Sequence, residues 1–562
     1  MRPLSVFALL VCLLSPLWTA AQGQNQGPDP AARLAQMSLA EKAGQVFMVS
    51  IYGRNLPEAG AALITDYHPG AVALFAYNTD YQPLAEVASL INQMQALSTA
   101  DNGPPLFIAL DHEGGRVRRL VNGVTRFPDP LGFGALPEPG PYQTIGRLTG
   151  AELRAVGVNM NLAPVLDLFS RPDLQDKNRV LYRRTLGDDP ARVGPLGAAY
   201  AAGLAESGVV GVGKHYPGHG EASDSHLGLA ILETSPEAFA AGPLVAFQTA
   251  IQGGLPAIMV GHLYYRQVEP GPNLPASLSP HMIGLLRQEL GFEGLVMTDA
   301  LDMAAISANY PIPEAALMAL NAGVDMVVLG PQVSWPTQRA AIERIIAAVE
   351  SGELSEARLD EAVLRILRLK ADYGLLDWAP VEAAGLEAAI DLPAAQAALS
   401  AAYGAAATLI QDQNDLLPLP NSDQVAVIFP AIYPEIYEAC LALGPQAKYY
   451  GYTFFPSTFD FNAVSRLGIE AERAVIFIED AYKNRAQADL VRVLPPEKTV
   501  VVALASPYDL EAFPTAGAWV ALYSSELSSR PAACPGLFGE RPFTGAIPLA
   551  VGDYPSGTGQ AD

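Results

Sequence analysis

The sequence predicts an α/β chain in which a closed (β/α)8 barrel of the TIM type is followed by a smaller α/β domain. Three observations carry that expectation. Short apolar runs alternate with helix-like stretches over the first two thirds of the chain, a shorter alternation follows an Ala-rich interval, and polar residues gather where the apolar runs end. The size agrees, since 562 residues exceed one ordinary domain. A composition that is 50% hydrophobic and 16% charged supplies a large core and argues against long disordered tracts.

The first 21 residues stand apart. Arg2 precedes an apolar run from Leu4 to Trp18 that Pro16 interrupts and the small residues Thr19, Ala20 and Ala21 close, the pattern of an export signal cleaved near Ala21. The run is shorter than the ~20 residues of a membrane span, which makes an uncleaved anchor the lesser alternative. A secreted or extracytoplasmic protein with no span after cleavage is expected. Residues 22–30 read as a flexible leader.

The barrel is expected over residues 31–376. Its strands are read at Gln45 to Ile51, Ala71 to Phe75, Leu106 to Leu110, Val158 to Leu162, Val209 to Gly213, Ala257 to Val260, Leu295 to Thr298 and Asp325 to Leu329. Helix-like stretches between them include Leu84 to Leu97, Tyr142 to Val156, Arg192 to Glu206, Pro236 to Gln252, Pro280 to Leu290 and Pro313 to Asn321, with Gln338 to Glu350 after the last strand. An open doubly wound sheet shares the alternation. It also predicts a Gly-rich nucleotide turn after the first strand, and Gln45 to Arg54 has none.

An amphipathic stretch from Glu356 to Tyr373 closes the barrel. Residues 377–407 read as a linker and 408–562 as the second domain, with strands at Val425 to Phe429, Ala474 to Ile478, Val500 to Leu504 and Trp519 to Tyr523. The last of the seven histidines is His281, so imidazole chemistry belongs to the barrel. With 34 basic against 58 acidic residues the formal charge is -24, which repels nucleic acid and anionic membrane surfaces. Of three cysteines Cys12 lies in the signal, leaving Cys440 and Cys534 for at most one disulfide and ruling out cysteine-ligated zinc.

The chemistry is expected at the strand ends. The third strand runs into Asp111 within LDHEGGRVRRL, placing Glu113, Arg116 and Arg119 beside a Gly114–Gly115 turn. The fourth leads to Asp167, the fifth into GKHYPGHGEASDSH, the sixth to His262 and the seventh to Asp299. Each has a plain structural explanation when taken singly. Asp299 can cap a helix from Leu301 to Ser307, Lys214 and His215 can form a structural ion pair, and Arg118 and Arg119 can be solvated loop charges. Capping residues have no reason to converge on one face, and these do.

The densest cluster, His215, His219, Asp224 and His226, admits two chemistries. Imidazoles and a carboxylate are good ligands for zinc, but neither HxH nor HExxH spacing is present and Pro217, Gly218 and Gly220 make the segment a loop. The other chemistry is a proton-transfer dyad in which Asp224 orients His226 and raises its basicity, with Asp299 as the best-placed nucleophile across the site. The dyad fits better, and neither a metal nor a cofactor is expected.

KHYPGHG (Lys214 to Gly220) followed by DSH (Asp224 to His226) resembles the signature of family 3 glycoside hydrolases of the β-N-acetylhexosaminidase, NagZ-like type. DHEGGRVRRL, RRTLGDDP (Arg183 to Pro190) and VMTDALDM match the same family in the same order, over about Leu34 to Tyr373. TLIQDQNDLLPLP from Thr408 and VALASPYDLEAFP from Val502 more loosely resemble the α/β sandwich domain many members carry. The resemblance implies a retaining mechanism, with Asp299 as nucleophile, His226 as general acid and base and Asp224 as its orienting partner. It assigns Asp111, Arg119, Arg184, Lys214 and His215 to sugar binding. His112 stands where Gln is common and Ala300 where a second Asp often stands; neither position carries an assigned role. Relatives acting on glucosides usually take their acid and base from a second-domain Glu and lack the DSH loop.

The implied activity is release of terminal β-linked N-acetylglucosamine from peptidoglycan fragments or chitooligosaccharides by an exo-acting retaining hydrolase, a carbohydrate being the one expected partner. A family 3 β-glucosidase or β-xylosidase, an N-acetylglucosaminide phosphorylase, and a catalytically dead carbohydrate-binding relative are the alternatives. Neutral histidine would not repel phosphate as a carboxylate does, and an intact Asp299, Asp224 and His226 argue against the last.

Overall fold

The computed structural model describes residues 29–169, 181–220, 222–271 and 273–559. The expected export signal and all but the end of the leader lie outside the described residues. Asp29 caps the first helix, Pro30–Leu34, its carboxylate accepting from the Ala31 amide.

Eight parallel strands close into a barrel: β1 Phe47–Ser50, β2 Ala71–Ala73, β3 Phe107–Leu110, β4 Met160–Asn161, β5 Val210–Tyr216, β6 Ala257–Val260, β7 Leu295–Ala300 and β8 Met326–Val328. Each pairs with its sequence neighbours, and β8 returns to β1 with Phe47 opposite Val327. The open sheet is thereby excluded. The strands read as apolar runs because side chains on one face fill the barrel while those on the other are covered by helices such as Gly140–Ala155 and Pro190–Glu206. One helix departs from the periodic pattern: Pro280–Gly284 continues through Leu285–Glu289 as a π-helical turn.

Two strands run further than their apolar residues indicate, and both carry register irregularities at the end that matters. β5 continues through Lys214 and His215 to Tyr216, with its shift against β6 between Gly213 and Tyr216. β7 takes in Asp299, with its shift against β8 between Met297 and Ala300. A bulge re-aims side chains that strict alternation would send to opposite faces.

The second domain is built on a six-stranded sheet of β9 Thr408–Asp412, β10 Val425–Pro430, β11 Lys448–Tyr452, β12 Arg473–Ile478, β13 Thr499–Ala503 and β14 Ala518–Ala521. The order is β9-β14-β13-β12-β10-β11, all parallel except β9, which runs antiparallel to β14. The stretch 377–407 is more than a connection. It contains the helix Leu392–Ala406, started by Asp391, whose carboxylate accepts from the Ala394 amide, and rich in the best helix former. Tyr403 from this helix packs edge-on against Phe133 of the barrel and donates its hydroxyl to the Asp129 carbonyl at 2.9 Å.

Cys440 on helix Pro434–Leu443 and Cys534 on Cys534–Leu537 are joined in a buried disulfide across 94 residues of sequence. A crosslink closing so long a loop restricts the unfolded chain most. Replacing both cysteines by alanine is expected to lower second-domain stability by about 2–4 kcal/mol, read as an earlier transition in a denaturant titration; coincident midpoints would contradict it.

Candidate active site

Three barrel loops meet through buried charge at the C-terminal ends of β3, β4 and β5. The turn after β3 forms a small hairpin in which His112 pairs with Arg118 and Gly114 with Val117. Gly115 sits at φ +55 with Asp129 so close that a β-carbon would lie 2.2 Å from its carboxylate, so the turn requires glycine. Glu113, inside this hairpin, accepts both arms of the Arg184 guanidinium at 2.7 Å and the Lys214 ammonium at 2.7 Å. Lys214 also donates to Asp111 at 2.7 Å, and Arg119 approaches the other Asp111 oxygen at 3.6 Å.

Burial alone would push the Glu113 carboxyl up. The charges of Arg184 and Lys214 and the hydrogen bonds they make outweigh it and hold the group far below the usual carboxylate range. The two cations respond in kind, Lys214 and Arg184 each staying charged against burial because the carboxylates face them. Arg119 keeps a buried Nε with no hydrogen-bond partner among the described residues.

Asp167, fully buried after β4, organises the next layer. It accepts from the His215 ring at 2.7 Å and from the amides of His215 and His219 at 3.2 and 2.6 Å. Burial pushes its carboxyl up, but the neighbouring histidines bring it below its ordinary value, so it is an acceptor and the His215 proton resides on Nδ1. His262 is fixed likewise. Its Nε2 faces the Ala300 carbonyl at 2.9 Å and must donate, while Nδ1 meets the Ser277 hydroxyl at 2.7 Å.

Asp299 lies half-buried at the end of β7, its Oδ1 accepting from the Ala300 amide at 2.7 Å. It caps nothing: the next helix, Ala304–Ser307, has Met303 at its N-cap. Burial favours the neutral acid, but His215, His262, the Ala300 amide and Lys214 together keep the carboxyl below its normal range. Asp302 points elsewhere, accepting from the Gln332 amide at 2.8 Å after β8.

The remaining two expected residues sit on the loop that leaves β5. Asp224 accepts from the His226 Nδ1 at 2.7 Å and from the His226 amide at 3.0 Å, and these contacts, outweighing desolvation, hold its carboxyl low. The His226 side chain is 59% exposed, and Leu227 beside it 84%. His219 roots the loop, joining Ser225 through Nε2 at 2.9 Å; burial above all drops its own titration to about 4 and keeps it neutral. Among the described residues no three His, Cys, Asp or Glu side chains are grouped as a metal site.

Thus Asp111, Arg119, Arg184 and Lys214 form one network, while His215 joins Asp299 through its field. Asp224 and His226 form a separate pair on the outer loop, without direct contact to Asp299. The motif reading did not single out Glu113 and Asp167 for roles, although both are polar residues within the motif stretches. His112 is buried, with burial and then Arg118 and Arg119 lowering its titration to about 3, so it adds no charge.

A family model described as the glycosyl hydrolase family 3 N terminal domain matches residues 38–369. A β-hexosaminidase of Alkalilimnicola ehrlichii (strain ATCC BAA-1101 / DSM 17681 / MLHE-1) is 37% identical over 290 residues, 50% of this chain and 79% of that protein. A β-N-acetylglucosaminidase/β-glucosidase of Cellulomonas fimi is 30% identical over 396 residues, 69% of this chain and 67% of its own. Among solved structures, a glycoside hydrolase family 3 β-N-acetylglucosaminidase from Paenibacillus sp. str. FPU-7 superposes with a TM-score of 0.73 at 28% identity, covering 92% of this chain and 99% of that one.

Glu113→Gln leaves two buried cations facing one carboxylate and should destabilise the fold by about 3–5 kcal/mol at neutral pH. Because the folded Glu113 carboxyl is depressed, its contribution is complete above an unfolded value of about 4.3. It fades only as pH falls further, through the folded value. Denaturant titrations should show a gap between wild type and variant that is constant from pH 7 to 5 and narrows below 4; a gap that narrows above pH 5 would refute this assignment.

Proposed function

The chain belongs to glycoside hydrolase family 3, and from that premise we propose that it is an exo-acting, retaining β-N-acetylglucosaminidase. The observation that carries the proposal is the Asp224–His226 pair at 2.7 Å on the loop after β5, together with a barrel carboxylate, Asp299, that its surroundings keep ionised. The pair offers an imidazole for proton transfer and the other group an ionised carboxylate for attack.

In the first step an Asp299 oxygen attacks the anomeric carbon while His226 Nε2–H protonates the departing oxygen. The C1–O bond breaks and a glycosyl ester forms. Asp224, held ionised, stabilises the imidazolium and holds the retained proton on Nδ1, leaving Nε2 to give and take the other. Neutral His226 then takes a proton from water, the water oxygen bonds to C1 and the ester carboxylate leaves. Asp111, Arg119, Arg184, Lys214 and His215 hold the terminal sugar; their positions are set before it arrives, so little ordering is left for the bound state. His226 is exposed because it must meet both a leaving group and water. Substrates would be chitooligosaccharides or peptidoglycan fragments met outside the cytoplasm, a location that the buried disulfide and the apolar N-terminal run support.

Purified protein is expected to cleave nitrophenyl β-N-acetylglucosaminide and chitobiose faster than nitrophenyl β-glucoside; cleavage of the glucoside alone would replace this reading with a glucosidase. Sugar 1-phosphate formed in phosphate buffer would replace hydrolysis with phosphorolysis. Asp299→Asn should reduce kcat roughly 10³-fold or more on every substrate.

His226→Ala should lose about 10²–10⁴-fold on chitobiose and far less on a dinitrophenyl glycoside, which needs no protonation. On the latter the variant's acid limb reports Asp299. Its carboxyl is depressed, so kcat/KM should stay level down to about pH 4; a fall already at pH 5 would count against Asp299 as the nucleophile.

A further inference from the structure

We propose that the second-domain loop 522–530 is part of the sugar-binding machinery, and that Glu526 is the positioning residue through which it acts. This inference rests on the assignment of Arg119 and Arg184 to sugar binding. Arg119 directly follows Arg118, which pairs with that loop, and Arg184 directly follows Arg183, which reaches it through Asp129.

Arg118 pairs with Glu526 at 2.9 Å, and neither side chain is more than 23% exposed, so the contact is not a solvated surface pair. Arg118 lies in the short hairpin opposite His112, between Glu113 and Arg119 in sequence. Fixing it fixes the strand from which Arg119 projects. On the other side Arg183 lies 3.8 Å from Asp129, and the Ser524 hydroxyl donates to that Asp129 at 3.2 Å. Arg183 holds φ +68, a conformation that a residue with a β-carbon keeps only where its surroundings impose it. The field of Asp129, then of Asp480 in the second domain, keeps Arg183 charged in spite of burial.

The loop is itself built to hold position. The Ser529 hydroxyl donates to the Ser524 carbonyl at 2.6 Å, and the Arg530 Nε donates to the Ser525 carbonyl at 2.6 Å. The Arg530 guanidinium lies 3.9 Å over the Tyr433 ring and pairs with Glu435. One rigid loop therefore sets two rim segments, one on each side of the Glu113 network. A domain that served only to stabilise the barrel would not need its anchoring charges beside the two sugar-binding arginines.

The test is steady-state kinetics of the full chain on nitrophenyl β-N-acetylglucosaminide, with inhibition by free N-acetylglucosamine and thermal unfolding measured in parallel. Glu526→Gln should raise KM and the inhibition constant together by about three- to tenfold with kcat within about twofold, the pattern of lost uniform binding. Its pH profile and Tm should match wild type. Glu526→Asp should recover part of the loss, and Arg118→Met should add nothing further in the Glu526→Gln background. Asp489→Asn, which breaks an exposed pair with Arg492 in the same domain, serves as the control.

Unchanged KM in Glu526→Gln, or a loss that follows a fall in Tm, would overturn the inference. The proposed activity is judged separately on wild type. Should wild type cleave only the glucoside, the same variants are read on that sugar, since the inference concerns how the arginines are held and not which terminal ring they meet.

Discussion

The site depends on one buried carboxylate holding two buried cations. Glu113 binds Arg184 through two hydrogen bonds and Lys214 through a third, so the loops after β3 and β4 and the end of β5 are locked together at a single point. Removing three charged groups from water is expensive, and burial of this kind seldom stabilises a fold by itself. Its return is geometric. Asp111 and Arg119 take their places from the same cluster, so the groups assigned to the sugar are oriented by one another before a substrate arrives. Two carboxylates against three cations leave this network one positive charge in excess, and Asp299 sits within its field.

That field separates the working groups by protonation state. Asp299 is kept ionised by cationic and imidazole neighbours that outweigh its burial, while His219 and His262 are kept neutral by burial, which outweighs the pull of the carboxylates near them. Asp224 stays ionised beside His226. The proposed nucleophile is thus placed among fixed partners and the proposed proton carrier on an exposed loop, a division that suits one group that must not move and another that would handle leaving group and water in turn.

Much of this was legible in the sequence because period and punctuation report burial. Strands covered on both faces are nearly all apolar, so all eight barrel strands stood out, and polar residues at their ends marked the catalytic face. What escaped has physical reasons. Lys214, His215 and Asp299 break the apolar runs of β5 and β7, so both strands read as ending early, and a bulge leaves no mark in composition. Lys448–Tyr452 alternates poorly as a lone edge strand, and Thr408–Asp412 lies against the second domain in the antiparallel sense that an α/β pattern does not suggest. The helix Leu392–Ala406 is so rich in alanine that its amphipathic stripe is faint, although Asp391 and Pro393 announce its start. Glu113 was visible as a residue, but its role required the three-dimensional meeting of segments 71 and 101 residues away, in Arg184 and Lys214.

The two domains differ in how they meet charge. Around Glu113 the barrel pairs its buried carboxylates with cations, whereas the second domain leaves Asp509 buried among Asp480 and Glu479 with its carboxyl pushed up to about 8, a group that is neutral through most of the acidic range. Its positive counterweight comes from across the interface, where Arg183 stays charged in the field of Asp129, Asp480 and Glu479. Arg183 precedes Arg184, which Glu113 holds. At this interface Glu526 pairs with Arg118, and Asp480 and Glu479 act on Arg183, so that second-domain carboxylates help to hold the barrel segments that carry Arg119 and Arg184, the residues assigned to the sugar.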